Sequence, residues 1–320
     1  MSTSSSSSST MEKVKNLPYA NSIAMALCIG TYLLQVLMEP QIHHYTMNPR
    51  MVIYLNEYYR IISSCLFHGS IMHIGMNMMS AAAIGYDLEK KCGTLSHGIT
   101  ILWSMILTSS IYMLISFLLY IVFGVDHLMY QHSTGFSGVL FHLMVLQAHY
   151  SPSMMTRNVY GFVQVSSTTF PWVMLIVAQV LLPNISFLGH LSGILVGILQ
   201  VYGVLNPIIL PSHDYLRKLE LQSSFLQQLS SKPGYIMTPS EEELRQFMHV
   251  SGSLRTAIRN GICMIWTFIC NVAETIKVCL FGYGSNNNNN NVVDHSNNDW
   301  IGLPETSESK TTTIPESHIV

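Results

Sequence analysis

The stretch Thr134-Gly135-Phe136-Ser137-Gly138-Val139-Leu140-Phe141 sets a serine in a Gly-x-Ser-Gly turn that opens an apolar run. Further along, Phe187-Leu188-Gly189-His190-Leu191-Ser192-Gly193-Ile194-Leu195-Val196-Gly197 places one histidine inside another apolar run. If both runs are membrane segments, a serine and an imidazole there are costly unless they serve each other or a substrate. Their pairing therefore decides both the architecture and the chemistry expected of the chain.

Composition makes a membrane environment the first inference. Only 10% of the 320 residues are charged, 49% are hydrophobic and mean hydropathy is +0.33, whereas soluble domains carry roughly 25% charged residues. A formal net charge of −2 gives no electrostatic basis for nucleic-acid binding. The cysteines Cys28, Cys65, Cys92, Cys263, Cys270 and Cys279 fall mostly within apolar segments without CxxC spacing. They read as small buried hydrophobes rather than as a disulfide framework or a zinc site. No cofactor or metal is expected.

Six apolar segments are expected as membrane helices, at about 20–38, 72–88, 98–124, 136–150, 168–183 and 186–204. The fourth is too short to cross a hydrocarbon core of roughly 30 Å at 1.5 Å per residue. It should start below the membrane surface, with Gly135 permitting the irregular entry and Ser137 at a sunken helix N-terminus. The fold class is thus an all-α polytopic membrane protein. Its parts are a disordered serine-rich tail over 1–17, a six-helix domain over 18–206 and a cytosolic linker with short helices over 207–257. An amphipathic or seventh membrane helix over 258–283 and a disordered asparagine-rich tail over 284–320 follow. Lys13 and Lys15, Lys90 and Lys91, Arg157, and Arg217 and Lys218 would all lie on one side of six crossings, which the positive-inside rule makes cytosolic. Both termini are then cytosolic, and Ser137 faces the lumen or exterior.

The second segment carries His73 and Asn77 four residues apart, on one helical face. They serve either as interhelical hydrogen-bond donors or as stabilisers of the oxyanion formed in acyl transfer, together with the Ser137 N–H. In the sixth segment His190, Gly193 and Gly197 fall within a roughly 60° arc. The glycines remove side chains where the histidine points, so a neighbouring helix can approach and bring Ser137 within reach. Alternatively, they are packing glycines beside a bonded core histidine.

Taken together and in this order, Gly135-x-Ser137-Gly138, His190 and His73-x-x-x-Asn77 resemble the rhomboid intramembrane serine protease family over residues 20–205. The resemblance implies a six-helix bundle in which Ser137 is the nucleophile and His190 the base, with His73, Asn77 and the Ser137 N–H holding the oxyanion. It also implies supporting roles for Gly135, Gly138, Gly193 and Gly197, for Phe141 stacked on the catalytic imidazole, and for Tyr59 and Arg60 where the family typically has Trp-Arg. The wording of Gly135–Phe141, Val159–Phe162 and Ser186–Gly197 is especially similar to the eukaryotic branch containing rhomboid-related protein 4. That branch implies an endoplasmic reticulum enzyme that clips membrane proteins destined for degradation. Its partners would be transmembrane substrates, the lipid bilayer and cytosolic degradation machinery engaged through the C-terminal tail. Two other classes remain in view, an inactive client-binding adaptor and a transporter. Asp87 and Asp126 are expected to be solvated charges, and no Gly-x-Gly-Asp or His-Glu-x-x-His is present. The His43-His44 pair, His68 and His132 read as solvated loop histidines, while His142 and His149 lie well off the Ser137 face of their helix.

Overall fold

The computed structural model describes residues 17–39, 41–151, 155–159, 161–182, 185–205 and 211–247, all within the first of two compact units, Met1–Phe268. Residues 1–16 of the expected N-terminal tail, the 258–283 helix and the 284–320 tail lie outside the described residues.

Helices fall on all six apolar stretches. They are α1 (Tyr19–Met38), α4 (Ile71–Cys92), α5 (Thr94–Phe123), α7 (Ser137–His149), α8 (Phe170–Leu181) and α9 (Phe187–Val201). Between α1 and α4 lie a 3-10 turn (Ile42–His44), α2 (Pro49–Leu55) and α3 (Arg60–Leu66), and α6 (His127–Tyr130) precedes the serine turn. The starts follow local chemistry. Asn48 accepts from Met51 N with Pro49 at the first turn of α2, Ser70 accepts from His73 N, and Ser186 accepts from Gly189 N, each side chain satisfying a donor that the first turn leaves free.

Among the described residues, only α1 and α5 are both long and apolar enough to qualify alone as membrane-crossing; α8 and α9 are shorter apolar helices. The outer surface agrees with a bilayer, since Leu33, Leu34, Leu37, Ile121, Val180 and Leu181 are all more than half exposed. Large exposed apolar surface of this kind marks a membrane or interaction face. The short helix α7 is the hub, with every residue from Val139 to Ala148 buried and α4, α5, α8 and α9 packed around it.

The fold is mostly helical, with one added element: β1 (Thr156–Val159) and β2 (Val163–Ser166) form an antiparallel hairpin between α7 and α8, with Arg157 opposite Val165. Gly161 turns it at φ +85°, and the Asn158 side chain accepts from Gly161 N. Two other sequence expectations are corrected. Asp87 is not simply solvated, since it bonds Lys91 at 2.9 Å and the Gln147 amide at 2.9 Å. His68 is fully buried rather than a solvated loop residue.

Beyond the bundle, α10 (His213–Gln222), α11 (Ser224–Ser230) and α12 (Glu241–Phe247) are tied back to it by a short extended stretch. Thr94 N donates to the Ile236 carbonyl at 2.7 Å, and Ile236 N donates to Thr94 Oγ1 at 3.0 Å. Buried Glu220 accepts from Tyr235 Oη, Thr238 N and Thr238 Oγ1, and burial followed by that carboxylate pushes the Tyr235 phenol up. At the start of α12, Ser240 and Glu243 exchange side-chain-to-backbone bonds, a capping box. A second buried carboxylate, Glu89 at the end of α4, accepts from Ala20 N and Asn21 N, both at 2.8 Å, and from Thr94 Oγ1. It thus satisfies the free N–H groups at the start of α1.

Candidate active site

The serine turn is held by the end of α3 and the residues that follow it. Gly135 N donates to the Ser64 carbonyl at 2.8 Å, and Thr134 Oγ1 reaches the carbonyls of Phe67 at 2.7 Å and Ser64 at 3.1 Å. His68 Nδ1 lies 3.0 Å from the Leu66 carbonyl, and His68 Nε2 accepts from Phe136 N at 3.4 Å. The first bond requires hydrogen on Nδ1 and the second requires a lone pair on Nε2, so the surroundings select one neutral tautomer. Gly135 has φ +113°, and a β-carbon there would stand 2.6 Å from both Cε1 and Nε2 of His73. Only glycine accommodates both the left-handed backbone and the His73 ring.

Ser137 is the first residue of α7 and His190 lies in the first turn of α9. His190 Nε2 and Ser137 Oγ are 2.8 Å apart. The approach depends on missing side chains, because a β-carbon on Gly193 would collide with the Gly138 carbonyl oxygen and lie 3.0 Å from Phe141 Cβ. One turn on, a β-carbon on Gly197 would sit 2.6 Å from Val145 Cβ. The Phe141 ring stacks on the His190 imidazole at 4.5 Å between centroids with 28° between planes. The other imidazole nitrogen, His190 Nδ1, is buried and has no hydrogen-bond partner among the described residues, so no carboxylate there forms a third member.

His73 and Asn77 lie on α4 across from the serine. Asn77 is 5% exposed, and its Nδ2 has no partner among the described residues. That nitrogen would stand 3.3 Å from a Gly135 β-carbon, so the amide is against the serine turn. A buried, unspent N–H donor is expensive and is what a developing anion requires. His73, Ser137, His190, Thr108 and Tyr112 line a cavity of about 260 Å³. A smaller, apolar crevice of about 80 Å³ reaches Ser137 and His190 between α4 and α8, walled by Met76, Leu140, Met144, Met174 and Leu182.

Tyr59 and Arg60 sit apart from this centre and brace the first loop. Arg60, 2% exposed, donates through Nη1 to the carbonyls of His43 and Thr46, each at 2.7 Å, and through Nε to Glu57 at 2.5 Å. That hydrogen bond holds the half-buried Glu57 carboxyl below its ordinary value. Tyr59 Oη donates to the His44 carbonyl at 3.0 Å, and its ring lies 5.5 Å from the Arg60 guanidinium carbon. The structural role of His68 escaped the sequence reading, although its position just ahead of the His73 helix was a usable signal. His142 bonds Ser104 and Gln200 at 2.8 and 2.7 Å. Asp126 is exposed. Among the described residues no group of three His, Cys, Asp or Glu side chains could hold a metal ion.

Comparison with known proteins covers the segment that holds this site. A rhomboid domain matches residues 55–207. Rhomboid-like protein 15 of Arabidopsis thaliana is 30% identical over 228 residues, 69% of this chain and 55% of the relative. Rhomboid-related protein 4 of Homo sapiens is 34% identical over 153 residues, 48% of each chain. Rhomboid-type serine protease 2 of Candida albicans is 29% identical over 153 residues, 46% of this chain and 51% of the relative. The chain spans about half the length of the curated relatives it matches. With a helical, lipid-compatible bundle around a serine turn and a domain match across it, the chain belongs to the membrane-embedded rhomboid family.

Proposed function

We propose that this rhomboid is an intramembrane serine endopeptidase that hydrolyses peptide bonds in or beside transmembrane segments with a Ser137–His190 dyad. The observation that carries the reading is the 2.8 Å separation of Ser137 Oγ and His190 Nε2 on two separate helices, next to the unpaired Asn77 amide. A yeast relative named as a serine protease supports it. Nε2 of His190 takes the Ser137 hydroxyl proton as the oxygen attacks the scissile carbonyl, and then gives that proton to the departing amine. The oxyanion meets the Ser137 N–H, the Asn77 amide and the His73 imidazole at the N-terminus of α7, whose dipole favours negative charge. Water then attacks the acyl-enzyme with His190 again as base. Phe141 holds the imidazole plane, and the apolar crevice between α4 and α8 suits an apolar substrate segment arriving from the bilayer.

In this reading the helices on the six apolar stretches make up the membrane domain, both termini are cytosolic, and the enzyme works in the endoplasmic reticulum or another secretory membrane. Removal of membrane proteins bound for degradation, with cytosolic machinery recruited by the C-terminal tail, fits the likeness to rhomboid-related protein 4. The test is co-expression with a model transmembrane substrate. Cleavage by the wild type and its loss in both Ser137→Ala and His190→Ala is expected; equal cleavage by all three refutes the dyad. A wild type that binds the substrate without cutting it, and whose Ser137 resists a fluorophosphonate probe, would point instead to a client-binding adaptor.

A further inference from the structure

The loop histidine just ahead of the serine turn has a hydrogen-bonding pattern that only one protonation state satisfies. Met47 and Ser133 form an isolated antiparallel bridge, with N–H to carbonyl distances of 2.8 and 2.9 Å. It joins the first loop to the residues that lead directly into Thr134 and Gly135. His132 stands beside it, with Nδ1 2.6 Å from Thr46 Oγ1 and Nε2 3.2 Å from Asn48 Nδ2. Thr46 Oγ1 donates its one proton to the His43 carbonyl at 3.0 Å, so it receives from His132, and Nδ1 carries hydrogen. Asn48 Nδ2 is a donor that also serves the Tyr130 carbonyl, while Asn48 Oδ1 accepts from Met51 N and caps α2. Nε2 must therefore present a lone pair. A proton on Nε2 would face the Asn48 amide donor to donor, and rotating the amide to relieve this would remove the α2 cap and the bond to Tyr130.

We propose that His132 is a proton-sensitive positioning residue: when neutral it ties the first loop to the strand entering the serine turn, and when protonated it releases that tie. Thr46 and Asn48 are 5% and 2% exposed, whereas His132 itself is exposed. A buried, pre-arranged lattice thus reads the protonation of a ring that solvent can reach. The charged and titratable groups around it are His43 and His44 of the 3-10 turn, Arg60 with its partner Glu57, Arg50 bonded to Tyr130, and Asp126 and His127 at α6; His73 and His190 face it across the cavity. Burial, then the Arg60 guanidinium and His43, lower its pKa below the ordinary histidine value of 6.5. A lowered histidine pKa means the unfolded chain binds the proton first, so the contribution is intact above 6.5 and is lost as pH falls through the window below it. Any effect on catalysis rests on the protease reading; the structural coupling does not.

The test is hydrogen exchange of the full chain in detergent micelles, with protection corrected for intrinsic rate, at about pH 7.5 and about pH 5. Protection of the Met47 and Ser133 amides in the wild type should fall at least tenfold at the lower pH, with the Thr156–Ser166 hairpin unchanged. In His132→Asn, whose amide can still donate to Thr46 but does not titrate, protection should be equal at the two pH values. Wild-type protection that does not change, or a fall that persists in His132→Asn, overturns the proposal. Because exchange needs no turnover, a protein that shows the transition while Ser137 stays inert to fluorophosphonate refutes the protease reading and upholds this one.

Discussion

Replacing Gly193 by alanine tests whether the dyad depends on backbone contact between α7 and α9. A β-carbon needs about 3.5 Å from other heavy atoms, and at Gly193 it would collide with the Gly138 carbonyl oxygen and lie 3.0 Å from Phe141 Cβ. Both obstacles are backbone or the first side-chain atom of α7, so no rotamer change relieves them and α9 must withdraw by about 1 Å. The Ser137–His190 separation, 2.8 Å in the native protein, would open to roughly 3.8 Å, beyond hydrogen-bond range. Displacement of that size lowers the rate about 10²-fold, and overpacking costs about 1–3 kcal/mol. The assay is the initial rate of fluorophosphonate labelling in detergent alongside thermal unfolding. Gly75→Ala serves as control, since nothing lies within 4 Å of its added carbon and it sits on the helix bearing His73. A Gly193→Ala protein labelled within about threefold of wild type would show that helix approach does not set the site.

Asn77→Ala should lower cleavage about 10²–10³-fold, the usual effect of one oxyanion donor, while leaving the melting temperature unchanged or higher because an unpaired buried donor is removed; a proportionate loss of stability would make it a packing residue. Glu89→Ala should destabilise the fold by about 1–3 kcal/mol for each amide donor it leaves unsatisfied, the Ala20 and Asn21 N–H groups being the ones exposed to that loss, with Glu89→Gln intermediate in a detergent melt. The Arg60–Glu57 pair gives a pH prediction: with the Glu57 pKa held below its ordinary 4.5, its contribution is present above that value and lost as pH drops through the lowered one. In His132→Asn, which lacks the other titrating tie of the first loop, limited proteolysis of that loop should therefore accelerate only below 4.5, and Arg60→Ala should show the acceleration at neutral pH.

The helices and the proximity of Ser137 to His190 were legible because their signals are local. Apolar runs mark the helices to within a few residues, and Gly-x-Ser-Gly, His-x-x-x-Asn and the His190–Gly193–Gly197 arc each state their geometry in one turn or face. What stayed hidden depends on partners distant in sequence. Glu89 looked like one charge among several beside Asp87 and Lys90, yet its partners are the amides at the start of α1. Glu220 is buried only because the Tyr235–Thr238 stretch folds back over it. His68 lies just ahead of the His73 helix, but its bond to Phe136 N joins residues 68 apart in sequence. The hairpin, built from two four-residue strands, is too short to produce a clear alternating pattern.

The buried carboxylate of Glu89 also bears on how the protein is made. The amides of Ala20 and Asn21 leave the ribosome 69 and 68 residues before the side chain that receives them, a delay of about 3–14 s at common elongation speeds. During that interval only water or lipid headgroups can satisfy those donors, so the leading end of α1 has to wait at the aqueous boundary. On the membrane reading proposed above, insertion of α1 and its docking against Glu89 are then separate events, the second possible only after α4 has been translated.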